Sequence, residues 1–101
     1  MLRNPLAYEG EYGFDIQLNT DFDATGFTAQ LVFQKPDGTR VAQTATAVTT
    51  VADGDFAWTV TDGFLVQGRW TVQLVITNGS TAVNKSPILP FTIGPENAVT
   101  P

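Results

Sequence analysis

The residues of this chain best suited to chemistry are aspartates that lie close together in the sequence. One set is Asp53, Asp55 and Asp62, and a second set is Asp21 and Asp23. A hard cation such as Ca²⁺ needs several oxygen ligands, and an Asp-x-Asp spacing is one way to supply them. The other interpretation is turn chemistry, since an aspartate beside a glycine bonds the backbone two residues further on. Turn chemistry is the expectation here, so the sequence predicts no metal site and no cofactor.

Catalysis by the same carboxylates is a further hypothesis. A glycosidase needs two carboxylic acids about 5 Å apart, or about 6.5–9.5 Å apart, across a cleft. A domain of 101 residues offers little room for such a cleft. The two serines, Ser80 and Ser86, have no histidine to activate them, because the chain contains neither His nor Cys. These residue types favour a structural or binding module over an enzyme, so no catalytic residue is predicted.

Aromatic side chains suggest a different use, as a platform for sugar rings. Trp58, Trp70, Tyr8 and Tyr12 could form such a platform by stacking. Both tryptophans, however, fall in phase with apolar residues two positions away, which predicts that they lie in the core. The two tyrosines are the better candidates for exposed contacts. A carbohydrate- or receptor-binding β-sandwich module is therefore the alternative function.

These residues must be positioned by short runs in which every second residue is apolar. Such runs occupy residues 14–18, 27–33, 56–60 and 70–76. A period of two is typical of a half-buried strand. Many short strands with turn signals every 8–12 residues predict an all-β fold, here an immunoglobulin-like antiparallel β-sandwich of about seven strands.

The predicted strands are residues 12–19, 27–34, 39–51, 55–61, 69–77, 81–85 and 91–93. Two turn sequences, Lys35-Pro36-Asp37-Gly38 and Asn78-Gly79, predict hairpins, the second with a two-residue type I′ turn. Residues 69–77 form the longest alternation and should lie centrally. Residues 39–51 show little contrast between their faces, which is common at a sheet edge. A break near residues 45–47 would divide this strand in two.

Charge and hydropathy narrow the classes of partner. The net charge is −5, and the five basic residues are scattered along the sequence. No stripe of Lys and Arg is present to neutralise phosphates, so we expect no nucleic acid and no membrane surface as partner. The first residues contain no apolar stretch long enough for a signal peptide. Release inside a particle is the expected route out of the cell.

The two ends of the chain are read as contact segments. The predicted division is an N-terminal arm at residues 1–11, the sandwich domain at residues 12–94 and a tail at residues 95–101. Disordered tails are usually polar, whereas this arm is rich in apolar side chains. An arm that folds back onto its own sheet is the alternative to an arm that docks on a neighbour. The candidate partner contacts are Leu2, Pro5, Leu6, Tyr8 and Tyr12.

Several segments resemble a known type of module. They read DATGFTAQL at residues 23–31, KPDGT at 35–39, GRWTVQL at 68–74, NG at 78–79 and FTI at 91–93. Together they are similar to small immunoglobulin-like modules of tailed-phage virions. The nearest group is the immunoglobulin-like N-terminal domain of upper baseplate proteins.

This resemblance implies a non-enzymatic structural subunit located in the virion. Such a subunit would dock on other virion structural proteins and form a homo-oligomer within a symmetric assembly. It would serve as a tail or baseplate accessory or as a capsid decoration protein. Proteins of that group carry further domains for host attachment, so a chain of 101 residues is expected to be a connector or accessory subunit.

Overall fold

The structure, a computed structural model, describes residues 5–20, 24–48, 50–79 and 82–95. These residues form an all-β domain, which confirms the fold class at that level, with one turn of 3₁₀ helix at Val51–Asp53. In the described ranges no helix is long and apolar enough to cross a membrane. The strands are β1 (Ala7–Tyr8), β2 (Asp15–Asn19), β3 (Thr28–Gln34), β4 (Arg40–Ala47), β5 (Asp55–Thr59), β6 (Gly68–Asn78), β7 (Ala82–Lys85) and β8 (Leu89–Gly94).

The strands form one curled, mixed sheet in the order β1-β8-β6-β3-β4-β5-β2, with β7 also pairing with β6. Strand β1 runs parallel to β8, and the other pairings are antiparallel. The sheet curls far enough for Phe33 of β3 to contact Trp58 of β5, with ring centroids 5.6 Å apart. Strand β4 separates these two strands in the sheet order, so β5 lies across the core from β3.

Strand β4 produces the curl by changing partners. Residues 40–45 pair with β3, whereas Thr46 and Ala47 pair with β5. The change occurs where the sequence predicts a break, near residues 45–47. The prediction of a plain edge strand was wrong, because the far end of β4 is paired with β5. Small side chains at Ala45 and Ala47 let the backbone bend without opening a gap in the core.

The core lies on the concave side of the curled sheet and follows the alternation in the sequence. In β6, Trp70, Val72, Leu74 and Ile76 are buried and the residues between them are half-buried. As expected, β6 lies centrally, with β3 on one side and β7 and β8 on the other. In the described residues no polar or charged side chain is buried. Burial of apolar area therefore drives folding.

An aromatic cluster, Phe33, Trp58, Phe64, Trp70 and Phe91, fills one end of the core. Phe64 comes from the crossover between β5 and β6, and its ring centroid lies 4.7 Å from that of Trp58 and 5.1 Å from that of Phe33. Trp70 stacks on Phe91 at 5.8 Å and donates its indole N–H to the carbonyl of Val66 at 2.9 Å. The cluster thus connects side chains of β3, β5, β6 and β8 with the crossover between β5 and β6.

Ser86 bridges the interruption between β7 and β8. Its backbone N–H donates to the carbonyl of Leu74, and its Oγ accepts from the N–H of Leu74, both at 2.9 Å. Its carbonyl accepts from the side-chain amide of Gln73 at 2.9 Å. A serine side chain thus satisfies a backbone donor where the ladder would otherwise fail. The predicted edge or crossover at Pro87 and Pro90 is only partly correct, because Pro90 lies within β8 opposite Thr71.

Two predictions from the sequence differ from the structure. No strand was predicted before residue 12, yet Ala7–Tyr8 pairs with the free edge of β8. A two-residue strand is too short for alternation to reveal it. Asn78 belongs to β6 and pairs with Ala82, so three residues separate β6 from β7. The prediction of a two-residue turn at this hairpin was therefore wrong.

Truncating the centre of the aromatic cluster should cost much of the stability. Phe33 is fully buried, so Phe33→Ala should lower the free energy of unfolding by about 3–5 kcal/mol. Gln30→Ala, on the opposite face of the same strand, should change it by no more than about 0.5 kcal/mol. Urea unfolding followed by tryptophan fluorescence measures both. A loss below about 1 kcal/mol for Phe33→Ala would contradict this account of the core.

Removing the Ser86 hydroxyl should loosen β6 locally. Ser86→Ala leaves the Leu74 N–H without that acceptor, which should cost about 1–3 kcal/mol. Amide hydrogen exchange at Leu74 should accelerate, whereas Ser86→Thr keeps a hydroxyl and should preserve most of the protection. Unchanged exchange at Leu74 in the alanine variant would show that the hydroxyl does not stabilise this position.

Candidate functional site

The broad convex surface of the sheet is the candidate site, because its side chains face away from the core. We call it the outer face and define it by the outward residues of β1, β3, β4, β6, β7 and β8. Its central residues are Thr28, Gln30, Val32, Gln34, Ala42, Thr44, Thr71, Gln73, Val75 and Thr77. Threonine, glutamine and valine give a flat surface that can both pack and donate or accept hydrogen bonds.

The charged residues at the margins of the outer face are basic. Arg40 stands opposite Gln34, Arg69 stands opposite Thr92, and Lys85 stands opposite Val75. All three basic residues are exposed. No Asp or Glu occurs in the strands that build this face. The strands of the outer face therefore contribute only positive charge, in a chain whose net charge is −5.

The opposite side of the core carries carboxylates. Strands β2 and β5 form a short antiparallel pair at one end of the sheet. On this pair, Asp15 of β2 and Asp55 of β5 point away from the core. Asp15 accepts a hydrogen bond from the hydroxyl of Thr59 at 2.6 Å, and Asp55 accepts one from the side-chain amide of Asn19. These cross-strand bonds fix the positions of both carboxylates. We call the outward residues of β2 and β5 the acidic face.

The predicted partner contacts fall into three groups. Leu2 lies outside the described residues. Pro5 and Leu6 are half-buried, and Leu6 packs against the core while its N–H donates to the carbonyl of Thr92 at 2.9 Å. Tyr8 and Tyr12 are 39 % and 59 % exposed. The part of the arm from Leu6 onward thus folds back onto its own sheet, and the two tyrosines keep surface for contacts.

Tyr8 adds an aromatic ring to the edge of the outer face. Ala7 faces the core opposite Ile93, so Tyr8 faces outward opposite Gly94. A Cβ atom at Gly94 would lie 2.5 Å from the ring, so only glycine lets the ring lie directly on the backbone there. The sequence identified Tyr8 as a contact residue, but its place on this face depends on the parallel β1–β8 pairing.

The described aspartates considered for metal binding lie in three different elements. Asp62 is an exposed loop residue and Asp53 is the exposed last residue of the 3₁₀ turn, whereas Asp21 and Asp23 lie outside the described residues. In the described part of the chain no three His, Cys, Asp or Glu side chains could hold a metal ion together. Asp55 instead bonds to Asn19 across the β2–β5 pair.

The tryptophans do not form a sugar-stacking platform. Trp70 is 1 % exposed, as the alternation predicts, and Trp58 is half-buried with its ring against Phe33 and Phe64.

Of the two serines, Ser86 accepts a hydrogen bond from the backbone of β6, and Ser80 lies outside the described residues. Trp58, Trp70 and Ser86 thus have structural contacts, and the outward faces of the sheet are the surfaces considered further.

Comparison with protein-family models, with curated proteins and with solved structures found no match to this chain.

Asp37 stabilises the β3–β4 hairpin, which sets the register of the outer face. The backbone N–H of Thr39 donates to its Oδ1 at 2.9 Å. This backbone hydrogen bond is the main cause that holds the pKa of Asp37 below its ordinary value. A hydrogen bond from the Thr39 hydroxyl and the positive charge of Lys35 lower the pKa further. Because the pKa is lowered by folding, the stabilising contribution is present at neutral pH and is lost as the pH falls through that lowered pKa.

The titration of Asp37 should show this arrangement directly. A ¹³C NMR titration of its carboxyl group should give a midpoint below that of an ordinary aspartate. Thr39→Ala removes the hydroxyl but keeps the backbone donor, so the midpoint should rise only part of the way back. A wild-type midpoint at or above the ordinary value would contradict the hydrogen-bonded turn.

Proposed function

We propose that this chain is a non-enzymatic structural subunit of a tailed-phage virion, a tail or baseplate accessory or a capsid decoration protein. In this role it folds as an immunoglobulin-like β-sandwich and docks on other virion proteins through the outer face. Three observations support the proposal. They are the sequence resemblance, the strand order and the composition of the outer face.

The strand order is compatible with an immunoglobulin-like sandwich. Strands β8, β6 and β3 are neighbours in the order of strands G, F and C, and β4 lies beside β3 where variable-type domains have C′. Strands β2 and β5 pair as B and E do. The contact between Phe33 of one group and Trp58 of the other supports a shared core between them. Strand β4 differs from the standard arrangement by joining both groups.

The composition of the outer face is the observation that carries the docking role. Val32, half-buried between Ala42 and Gln73, lies near its centre. Short and amide side chains around it leave a flat surface with few charges to desolvate. Exposed Val83 lies on the same face opposite Thr77 and extends its apolar area. Such a surface suits repeated contacts in a symmetric assembly, where many modest interfaces add together.

A charge placed at the centre of the outer face tests the docking role. Val32→Glu should reduce the amount of the chain recovered in virions by about tenfold, because a buried, unpaired carboxylate opposes association. Thr61→Glu adds the same charge on an exposed loop and should leave incorporation unchanged. Quantitative mass spectrometry of gradient-purified virions from the phage that encodes the chain measures both variants.

The same measurement separates two failures. Absence of the wild-type chain from purified virions would overturn the proposed function. Wild-type incorporation of the Val32→Glu variant would overturn the docking role of the outer face. Melting temperatures of both variants establish that any loss reflects contact and not unfolding.

A further inference from the structure

The charged residues within the described strands are separated onto opposite sides of the core. Arg40 and Arg69 lie on the outer face, and Asp15 and Asp55 lie on the acidic face. An arrangement with opposite charges on opposite sides is complementary to a second copy of itself placed in the same orientation. We propose that copies of this chain associate head to tail, with the acidic face of one copy on the basic part of the outer face of the next.

The spacing of the charges supports this pairing. Asn19 stands opposite Asp55, and Asp15 is four residues before Asn19, so the two aspartates lie about 14 Å apart along the strands. Arg40, Gln34 and Thr71 lie side by side on the neighbouring strands β4, β3 and β6. Arg69 is two residues before Thr71 on β6. The two arginines therefore lie about 12 Å apart. Long arginine side chains can absorb a difference of about 2 Å.

The residues between the charges also match. Gln17 lies on the acidic face between the two aspartates, with Thr59 opposite Asp15. On the outer face Gln34 lies between Arg40 and Thr71, and Thr71 lies two residues from Arg69. Amide and hydroxyl groups on both sides can exchange hydrogen bonds across the contact. The aspartates are already held in place by cross-strand hydrogen bonds, so less conformational entropy is lost on docking.

The size of the acidic face sets the strength of one contact. It consists of the outward residues of two strands of five residues each. A standard interface takes about 800 Å² and about 20–30 residues from each partner, so the acidic face is smaller. A single contact should have a dissociation constant on the order of 0.1–1 mM. Because the two faces differ, repetition gives a ring or an open filament and not a closed dimer. The inference rests on the proposed function, since it names a second copy as one partner of the virion subunit.

Sedimentation velocity of the full chain tests the association. The weight-average sedimentation coefficient should rise as the concentration approaches about 1 mM. Raising the salt from about 0.01 M to about 1 M shortens the Debye length from about 30 Å to about 3 Å, so the rise should disappear.

Two charge-reversed variants test which faces meet. Arg40→Glu/Arg69→Glu makes both faces acidic and should associate at least about tenfold more weakly than the wild type. Asp15→Lys/Asp55→Lys makes both faces basic and should be equally weakened. An equimolar mixture of the two variants should recover association to within about threefold of wild type, because each supplies the face that the other lacks.

A neutral pair of variants controls for net charge and folding. Asp15→Asn/Asp55→Asn keeps an acceptor oxygen at each position and should weaken association about tenfold. Asp53→Asn/Asp62→Asn changes the net charge equally at two exposed residues outside the strands and should remain within about twofold of wild type. Equal effects of the two pairs would overturn the assignment of the acidic face.

The remaining outcomes are decisive. Self-association of Arg40→Glu/Arg69→Glu alone at wild-type strength would show that the contact does not use the basic part of the outer face, and would overturn the head-to-tail contact. A wild-type chain that stays monomeric at about 1 mM and low salt would overturn self-association altogether. In that case recovery of the chain from virions would still support the proposed function, so the two failures are distinguishable.

Discussion

The contact of Phe33 with Trp58 and Phe64 is the interaction on which the rest of this molecule depends. Phe33 belongs to β3, Trp58 to β5 and Phe64 to the crossover that follows β5. Among the described strands, β4 alone pairs with both β3 and β5. Ile16, Leu18 and Phe56 add further buried apolar contacts at the far end of the sheet. The partner change of β4 curls the sheet, and the aromatic contact holds the curled sheet closed over the core.

One consequence is a strict division between the inside and the outside of the sheet. The concave side takes the large apolar side chains, and the described residues place no polar side chain in the core. The convex side keeps the threonines, glutamines and small apolar residues between them. The outer face, the acidic face and the exposed Tyr8 and Tyr12 then offer side chains to the surroundings. The separation of Arg40 and Arg69 from Asp15 and Asp55 follows from the same curl.

The sequence predicts those parts of the fold whose signal lies within one strand or one turn. The long alternation of β6 and the Lys35–Gly38 turn are examples, since side-chain period and turn chemistry are local properties. The parallel β1–β8 pair was missed because two residues carry no period. The partner change in β4 left only a weak trace, a loss of contrast near Ala45. The all-β class was therefore predictable, whereas the pairing of the sheet ends was not.

The candidate surfaces were less predictable than the core. Tyr8 and Tyr12 were identified from composition, but the outer face became visible only through register. Arg40, Arg69 and Lys85 look scattered along the sequence, and strand pairing brings them to one side of the sheet. A charge pattern that depends on long-range pairing cannot be read from spacing along the chain.

The central claim is that the two opposed faces of the curled sheet are the contact surfaces of this protein. Concentration-dependent ¹H–¹⁵N NMR spectra of the wild-type chain test it residue by residue. The account predicts shifts confined to two patches, one around Arg40, Gln34 and Arg69 and one around Asp15 and Gln17. Shifts centred on the β5–β6 crossover, or spectra that do not change up to about 1 mM at low salt, would contradict it.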